Sequence, residues 1–207
     1  MQAKTLILVW ALLLIIFTSS IDAQFRLFGP RQPRPTPQPM RKASALISRQ
    51  APLKVNESLL KQATPDNTRI AVSIPKQRAY LMIGEKIVAD GPISSGRRGH
   101  ESPTGYKHVL EKDPNHHSSL YGDFVDSSGR TVRGGVSARS DSAPSGTHFA
   151  GAPMKWFLRL TEDGVGMHVG ILPGYPASHG CIRQSVDGAK LFYDHVKVGT
   201  PVDVGDY

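Results

Sequence analysis

From about Thr68 the chain is a series of short β-branched and apolar runs separated by turn residues. Arg69 to Ile74 is the first run, and Pro75 ends it. Arg78 to Ile83 and Lys86 to Ala89 flank Gly84-Glu85, the pattern of a β-hairpin. Ile93-Ser94-Ser95 continues the third run, and Pro103-Thr104-Gly105 opens a further strand from Tyr106 to Glu111. Residues 113–148 are rich in Ser, Gly, Asp and His and show little periodicity, which predicts a long irregular loop of the functional kind. Trp156 to Leu160 and Gly164 to Val169 read as strands, and Pro201 to Val204 closes the sheet. One helix is predicted near the C-terminus, with Ser185 as N-cap, Asp187 in its first turn, and Ala189, Leu191, Phe192 and Val196 facing inward. The expected fold is mostly β, a barrel or sandwich carrying one short helix and that long loop.

The first third of the chain follows another pattern. Lys4 precedes twelve unbroken apolar residues, Leu6 to Phe17, and small residues follow as far as Ala23. A bilayer core needs roughly 20 residues, so the run predicts a signal peptide over 1–23 and an exported protein of the periplasm or cell envelope. Residues 29–39 contain five prolines, which excludes a helix and predicts an extended spacer. Of the net charge of +8, residues 24–65 carry +7, from eight basic side chains and Glu57. The expected linker over 24–65 is therefore basic and suited to an anionic envelope surface. Residues 53–63 within it have the pattern of a short amphipathic helix. The domain expected over 66–207 has sixteen basic and fifteen acidic residues, which argues against a nucleic-acid partner.

The chemistry concentrates in Ser178-His179-Gly180-Cys181-Ile182-Arg183. Cys181 is the sole cysteine, so no intramolecular disulfide forms. In an oxidising compartment an unpaired thiol is a liability unless buried or used. Its Ser, His and Gly neighbours fit use: an imidazole accepts a thiol proton, and Gly180 permits a turn whose N–H groups converge on an oxyanion. If Cys181 begins a strand, alternation sets Arg183 on the sulfur's face, where a guanidinium suits a carboxylate. His179, two residues before the thiol, and His168, folded back through the turn-rich Leu172 to Pro176, are both candidate bases, and residue chemistry leaves the choice open.

Pro173 to Arg183, preceded by Met167-His168, resembles the catalytic signature of the L,D-transpeptidases (YkuD domain). The resemblance runs from about 68 to 205. Gln77 to Leu81 is similar to the family's opening hairpin, and Ser94-Ser95-Gly96, Ser102 to Gly105 and Val198 to Val202 match its recurrent turns in order. Two local departures are the ten residues between His168 and His179, fewer than in the commonest form, and Gln184 where an apolar residue is usual.

This resemblance implies a YkuD-like fold and a mechanism. Cys181 attacks a stem-peptide carbonyl in peptidoglycan, releases the terminal D-amino acid and forms a thioester. An amine from a second stem, a free D-amino acid or an envelope protein then resolves it. His168 is implied as the base, oriented by the Val169 carbonyl. His179, Gly180 and Cys181 are implied as oxyanion donors, with Ser178 in support. Arg183 is implied to hold the loop or a stem-peptide carboxylate. No cofactor or metal is expected. Trp156 and Tyr175 are candidate groove residues, while His116 and His117 read as surface loop residues. The alternatives are hydrolysis of the same acyl-enzyme, as in an L,D-carboxypeptidase or amidase, and a non-catalytic wall-binding module.

Overall fold

The computed structural model describes residues 50–206, so the apolar run Leu6 to Phe17 and the Pro-rich stretch 29–39 lie outside the described residues. Thr68–Ser73 (β2), Arg78–Ile83 (β3) and Lys86–Ser94 (β4) form an antiparallel meander, and Pro201–Gly205 (β11) lies parallel to β2. Gly105–His108 (β5) pairs with β11 at one edge. Beyond β4 the sheet continues through Ile182–Gln184 (β10), Gly166–Val169 (β9), His148–Arg159 (β8), Glu111–Val125 (β6) and Thr131–Ser137 (β7). The mostly-β expectation holds. The sheet is mixed and open, ending at β5 and β7, where a closed barrel was among the forms expected.

Alternating apolar side chains explain the first half of this sheet. Ile70, Val72, Ala79, Leu81, Val202 and Val204 are all fully buried, on one face of three adjacent strands. Each of the larger ones contributes about 1.5–3 kcal/mol by leaving water. Val186–Asp194 (α2) closes the core with Ala189 and Phe192 and packs on β8 and β9. Its N-cap is Ser185, whose hydroxyl accepts the Gly188 N–H at 3.1 Å, as the sequence predicts.

Two expectations are corrected. Residues 113–148 are not an irregular loop: β6 spans fifteen residues and pairs with β8 on one side and β7 on the other. Its polar side chains face solvent or the pocket described below, so no apolar alternation marks it. The linker expected to run to residue 65 also ends earlier. Lys54–Val55 (β1) pairs with β4, Glu57–Leu60 (α1) follows, and Leu53, Val55, Leu59 and Leu60 pack against the core. The Gln50 amide donates to the Ile93 carbonyl at 2.8 Å, adding a polar tie.

Candidate active site

β9 and β10 run parallel, with Met167 beside Ile182 and His168 beside Arg183. Parallel neighbours need a crossover, and residues 170–181 supply it. Met167 and Ile182 point into the core, at 0% and 1% exposed. His168, Arg183 and Cys181, just before β10, therefore share the opposite face. There they line a cavity of about 630 Å³ with His179 and Ser178. β6 supplies the facing wall, including His116 and Tyr121. Cys181 is half-buried, so its thiol is neither sealed in hydrocarbon nor freely solvated.

Electrostatics favour neutral partners at rest. Burial pushes the Cys181 thiol up, against the opposing pull of the Gly166 amide and the Arg183 guanidinium. Burial also drives the His168 pKa down to about 4, while its bond to the Val169 carbonyl resists and Arg183 and His116 add to the drop. His168 Nδ1 lies 2.7 Å from that carbonyl oxygen. A carbonyl only accepts, so Nδ1 carries the proton and Nε2 keeps its lone pair. At neutral pH the site holds a thiol and a proton-accepting imidazole rather than a preformed thiolate.

His179 is built differently. It is exposed, stacks on Tyr121 at 4.4 Å and meets the His100 ring edge-on at 5.0 Å. Arg97 Nη1 comes within 3.5 Å of its Nδ1. A guanidinium only donates, so this contact turns the His179 lone pair toward Arg97 and leaves Nε2–H outward. Partial burial, Arg97, His100 and Arg183 all lower its pKa.

A hydrogen-bonded buttress fixes the loop before Cys181. Gln77 Nε2 donates to Ser95 Oγ at 2.8 Å, and its Oε1 accepts the Ser95 N–H at 3.0 Å. The Ser95 carbonyl accepts from Ala177 and Ser178, and the Ser178 carbonyl accepts from Arg97 at 3.1 Å. Ser102 Oγ accepts the Gly96 N–H and donates to the Gly180 carbonyl at 2.6 Å. Ser178 Oγ donates to the Cys181 carbonyl and accepts the Gly180 N–H at 3.1 Å. The Gly180 N–H, expected among the oxyanion donors, is thus already engaged. Gly180 instead contributes its φ of +120°, which an L side chain rarely adopts. The N–H groups of His179 and Cys181 have no protein acceptor among the described residues.

Two groove expectations are corrected. Trp156 has a φ of +57°, which turns its side chain to the far face, where the ring packs on Tyr193 at 5.2 Å and lies under Lys190. Tyr175 is 48% exposed and also outside the pocket lining; its carbonyl accepts from Ser94 Oγ at 2.8 Å. Sequence reasoning missed His116 and Tyr121 instead. His116 is half-buried, stacks on the fully buried Phe157 at 4.2 Å and pairs with Asp113 at 3.2 Å. Without the β6–β8 register, nothing in its neighbourhood marked it as a pocket residue. Ligand atoms of Glu111, Asp113 and His116 lie within 4.8 Å of one another, close enough to share an ion, although Glu111 is committed to Arg159 at 2.6 Å.

Fold and pocket together define a class: an open mixed β sheet presenting a thiol, an imidazole and a guanidinium on adjacent parallel strands. Residues 67–204 match the model of the L,D-transpeptidase catalytic domain (YkuD), and the chain belongs to that family. Among solved structures, an L,D-transpeptidase from Mycobacterium smegmatis is 21% identical, with a TM-score of 0.50 over 67% of this chain and 58% of that one. An L,D-transpeptidase from Xylanimonas cellulosilytica is 20% identical, with a TM-score of 0.49 over 67% and 60%. L,D-transpeptidase 3 from Mycobacterium tuberculosis, in complex with a faropenem-derived adduct, is 24% identical, with a TM-score of 0.45 over 67% and 60%. The chain thus spans about three-fifths of the length of these structures, and the first shares its fold. No curated protein matches.

Proposed function

We propose that the protein is an exported peptidoglycan L,D-transpeptidase in which Cys181 is the nucleophile and His168 the base. The observation that carries this reading is the half-buried Cys181 thiol in one pocket with His168, whose Nδ1 is committed to the Val169 carbonyl. His168 Nε2 takes the thiol proton as sulfur attacks the carbonyl between the third and fourth residues of a stem tetrapeptide. The resulting oxyanion is met by the His179 and Cys181 N–H groups. Collapse breaks the C–N bond, the imidazolium returns its proton to the departing amine, and a D-amino acid leaves. An acceptor amine then attacks the thioester, loses a proton to His168, and the thiol is regenerated. Family membership supports acyl transfer to an amine. Export is supported by Leu6 to Phe17 and the small residues up to Ala23. The stretch 24–49, with six basic and no acidic residues, supports retention at an anionic envelope surface, where wall remodelling influences cell shape.

Incubation with a disaccharide-tetrapeptide, with and without a free D-amino acid, tests the reading by mass spectrometry. Crosslinked dimer or exchanged tetrapeptide is expected; plain tripeptide alone would mean hydrolysis, and no product in wild-type protein would refute the assignment.

A further inference from the structure

An acceptor amine reaches a pocket as an ammonium ion. An α-amino group titrates near about 8 and a side-chain amine near about 10.4, so at neutral pH each carries one proton more than the species that attacks. Forming an amide from it releases two protons. One returns to the Cys181 sulfur through His168, and the other needs a second base. His168 cannot hold both, because its Nδ1 is already protonated against the Val169 carbonyl and Nε2 is its one basic site. Among the described residues, three imidazoles line the pocket: His168, His179 and His116. His179 turns its lone pair to Arg97 and offers only an N–H. His116 is arranged in the opposite sense. Its Nδ1 lies 3.2 Å from Asp113 Oδ2, and the Asn115 N–H, 2.9 Å from Asp113 Oδ1, together with His116 holds the Asp113 carboxyl ionised. A carboxylate only accepts, so Nδ1 carries the proton and Nε2 keeps a lone pair that no protein group among the described residues engages. An imidazole backed by a carboxylate is well suited to carry charge once Nε2 is protonated. The other nearby acid, Glu111, is committed to Arg159 at 2.6 Å. Glu162 and Asp163 also line the pocket, but a carboxylate is too weak a base to keep a proton at neutral pH. Stacking on Phe157 at 4.2 Å fixes the His116 ring, and His168 lies 6.4 Å from the same phenyl ring, so the two imidazoles are no further apart than those distances together. Charge on His116 is felt at His168, whose pKa it helps to lower.

We infer that the Asp113–His116 pair is a second base of this pocket, which takes the surplus proton of the acceptor ammonium before the amine attacks the Cys181 thioester. The role rests on the proposed acyl-transfer reading. His116 Nε2 accepts one proton from the ammonium, and the neutral amine forms its C–N bond at the thioester carbonyl. The C–S bond breaks, and the second amine proton passes to sulfur through His168. The His116 imidazolium, paired with Asp113, then returns its proton to solvent. Acylation has no such surplus, because there the thiol proton leaves with the departing amine.

The test compares two acceptors on one acyl-enzyme. The protein is acylated with a stem tetrapeptide, and decay of the adduct is followed at pH 7 by intact mass. One acceptor is a free D-amino acid, an ammonium ion at that pH; the other is hydroxylamine, which is mostly unprotonated there and brings no surplus proton. His116→Gln should lower the ratio of the D-amino acid rate to the hydroxylamine rate by about 100-fold. Asp113→Asn, which keeps the side-chain shape and removes its charge, should lower the same ratio by about tenfold. The hydroxylamine rate reports whether the rest of the site is intact, and Asp113→Asn alone decides the test if His116→Gln does not fold. A ratio equal to that of the wild type, whether both rates hold or both fall together, overturns the second base while acyl transfer stands. A wild-type protein that forms no acyl-enzyme, or passes its acyl group to water alone, refutes the acyl-transfer reading and this role with it.

Discussion

The two halves of the sheet use the same strand geometry for different ends. In β2, β3 and β11 one face is fully buried, so apolar residues recur at every second position and the fold is rigidly specified. In β6 most side chains are polar and only partly buried, in β7 most positions are exposed, and the two strands extend β8 into a pocket wall. The proposed reacting groups sit at the seam, His168 on β9 and Cys181 just before β10. A well-packed half supplies stability, a wet half supplies shape, and chemistry falls where one gives way to the other.

The sharpest way to break this contrast lies at the seam. His168→Gln should lower acyl transfer by roughly 100- to 10,000-fold while leaving the fold intact, whereas His179→Gln should cost far less, since its lone pair faces Arg97. Steady-state transfer to a D-amino acid measures both, and equal losses would mean that the two rings share the base role. Next come the two halves themselves. Leu81→Ala, at a fully buried position of β3, should destabilise by about 2–5 kcal/mol in urea melts, a loss that a tolerant Leu81 would contradict.

The pH dependence gives a similar or smaller effect. Unfolded His168 takes up a proton near pH 6.5, while the folded side chain resists until about 4. Between those values the unfolded chain binds more protons, so stability falls as pH drops through that window and levels off below it. The loss assignable to His168 should reach up to about 3 kcal/mol, and the difference between wild type and His168→Gln in urea midpoints at pH 7 and 4.5 isolates it. A flat difference would place His168 in water. Smallest of all, Val132→Ala on the exposed β7 should shift stability by no more than about 0.5 kcal/mol.

This contrast also explains what the chain reveals before folding. β2, β3, β4 and α2 were legible because burial on one face writes itself as alternation or as a capped helical period, seen in Ile70, Val72, Leu81 and the Ser185 cap. The pocket's floor was legible because Ser178 to Arg183 packs reactive residue types into six positions. The wall was not. His116 gains its place only when β6 folds back to lay its ring on Phe157, a contact 41 positions away in the chain. Trp156 misled for the opposite reason: its size suggested a groove, but a φ of +57° sends it to the helix side. The buttress of Gln77, Ser95 and Ser102 lay in the segments that resemble the family, yet its bonds to the loop before Cys181 depend on tertiary pairing.

The most direct measurement is the intact mass of the protein trapped during turnover of a stem tetrapeptide. Wild-type protein should carry one acyl group, of the tripeptide-containing donor's mass, that maps to the Cys181 peptide and is released by an added amine. The Cys181→Ala protein should carry none. An adduct of the same mass on Cys181→Ala, or wild-type turnover with the Cys181 thiol irreversibly blocked, would contradict the account.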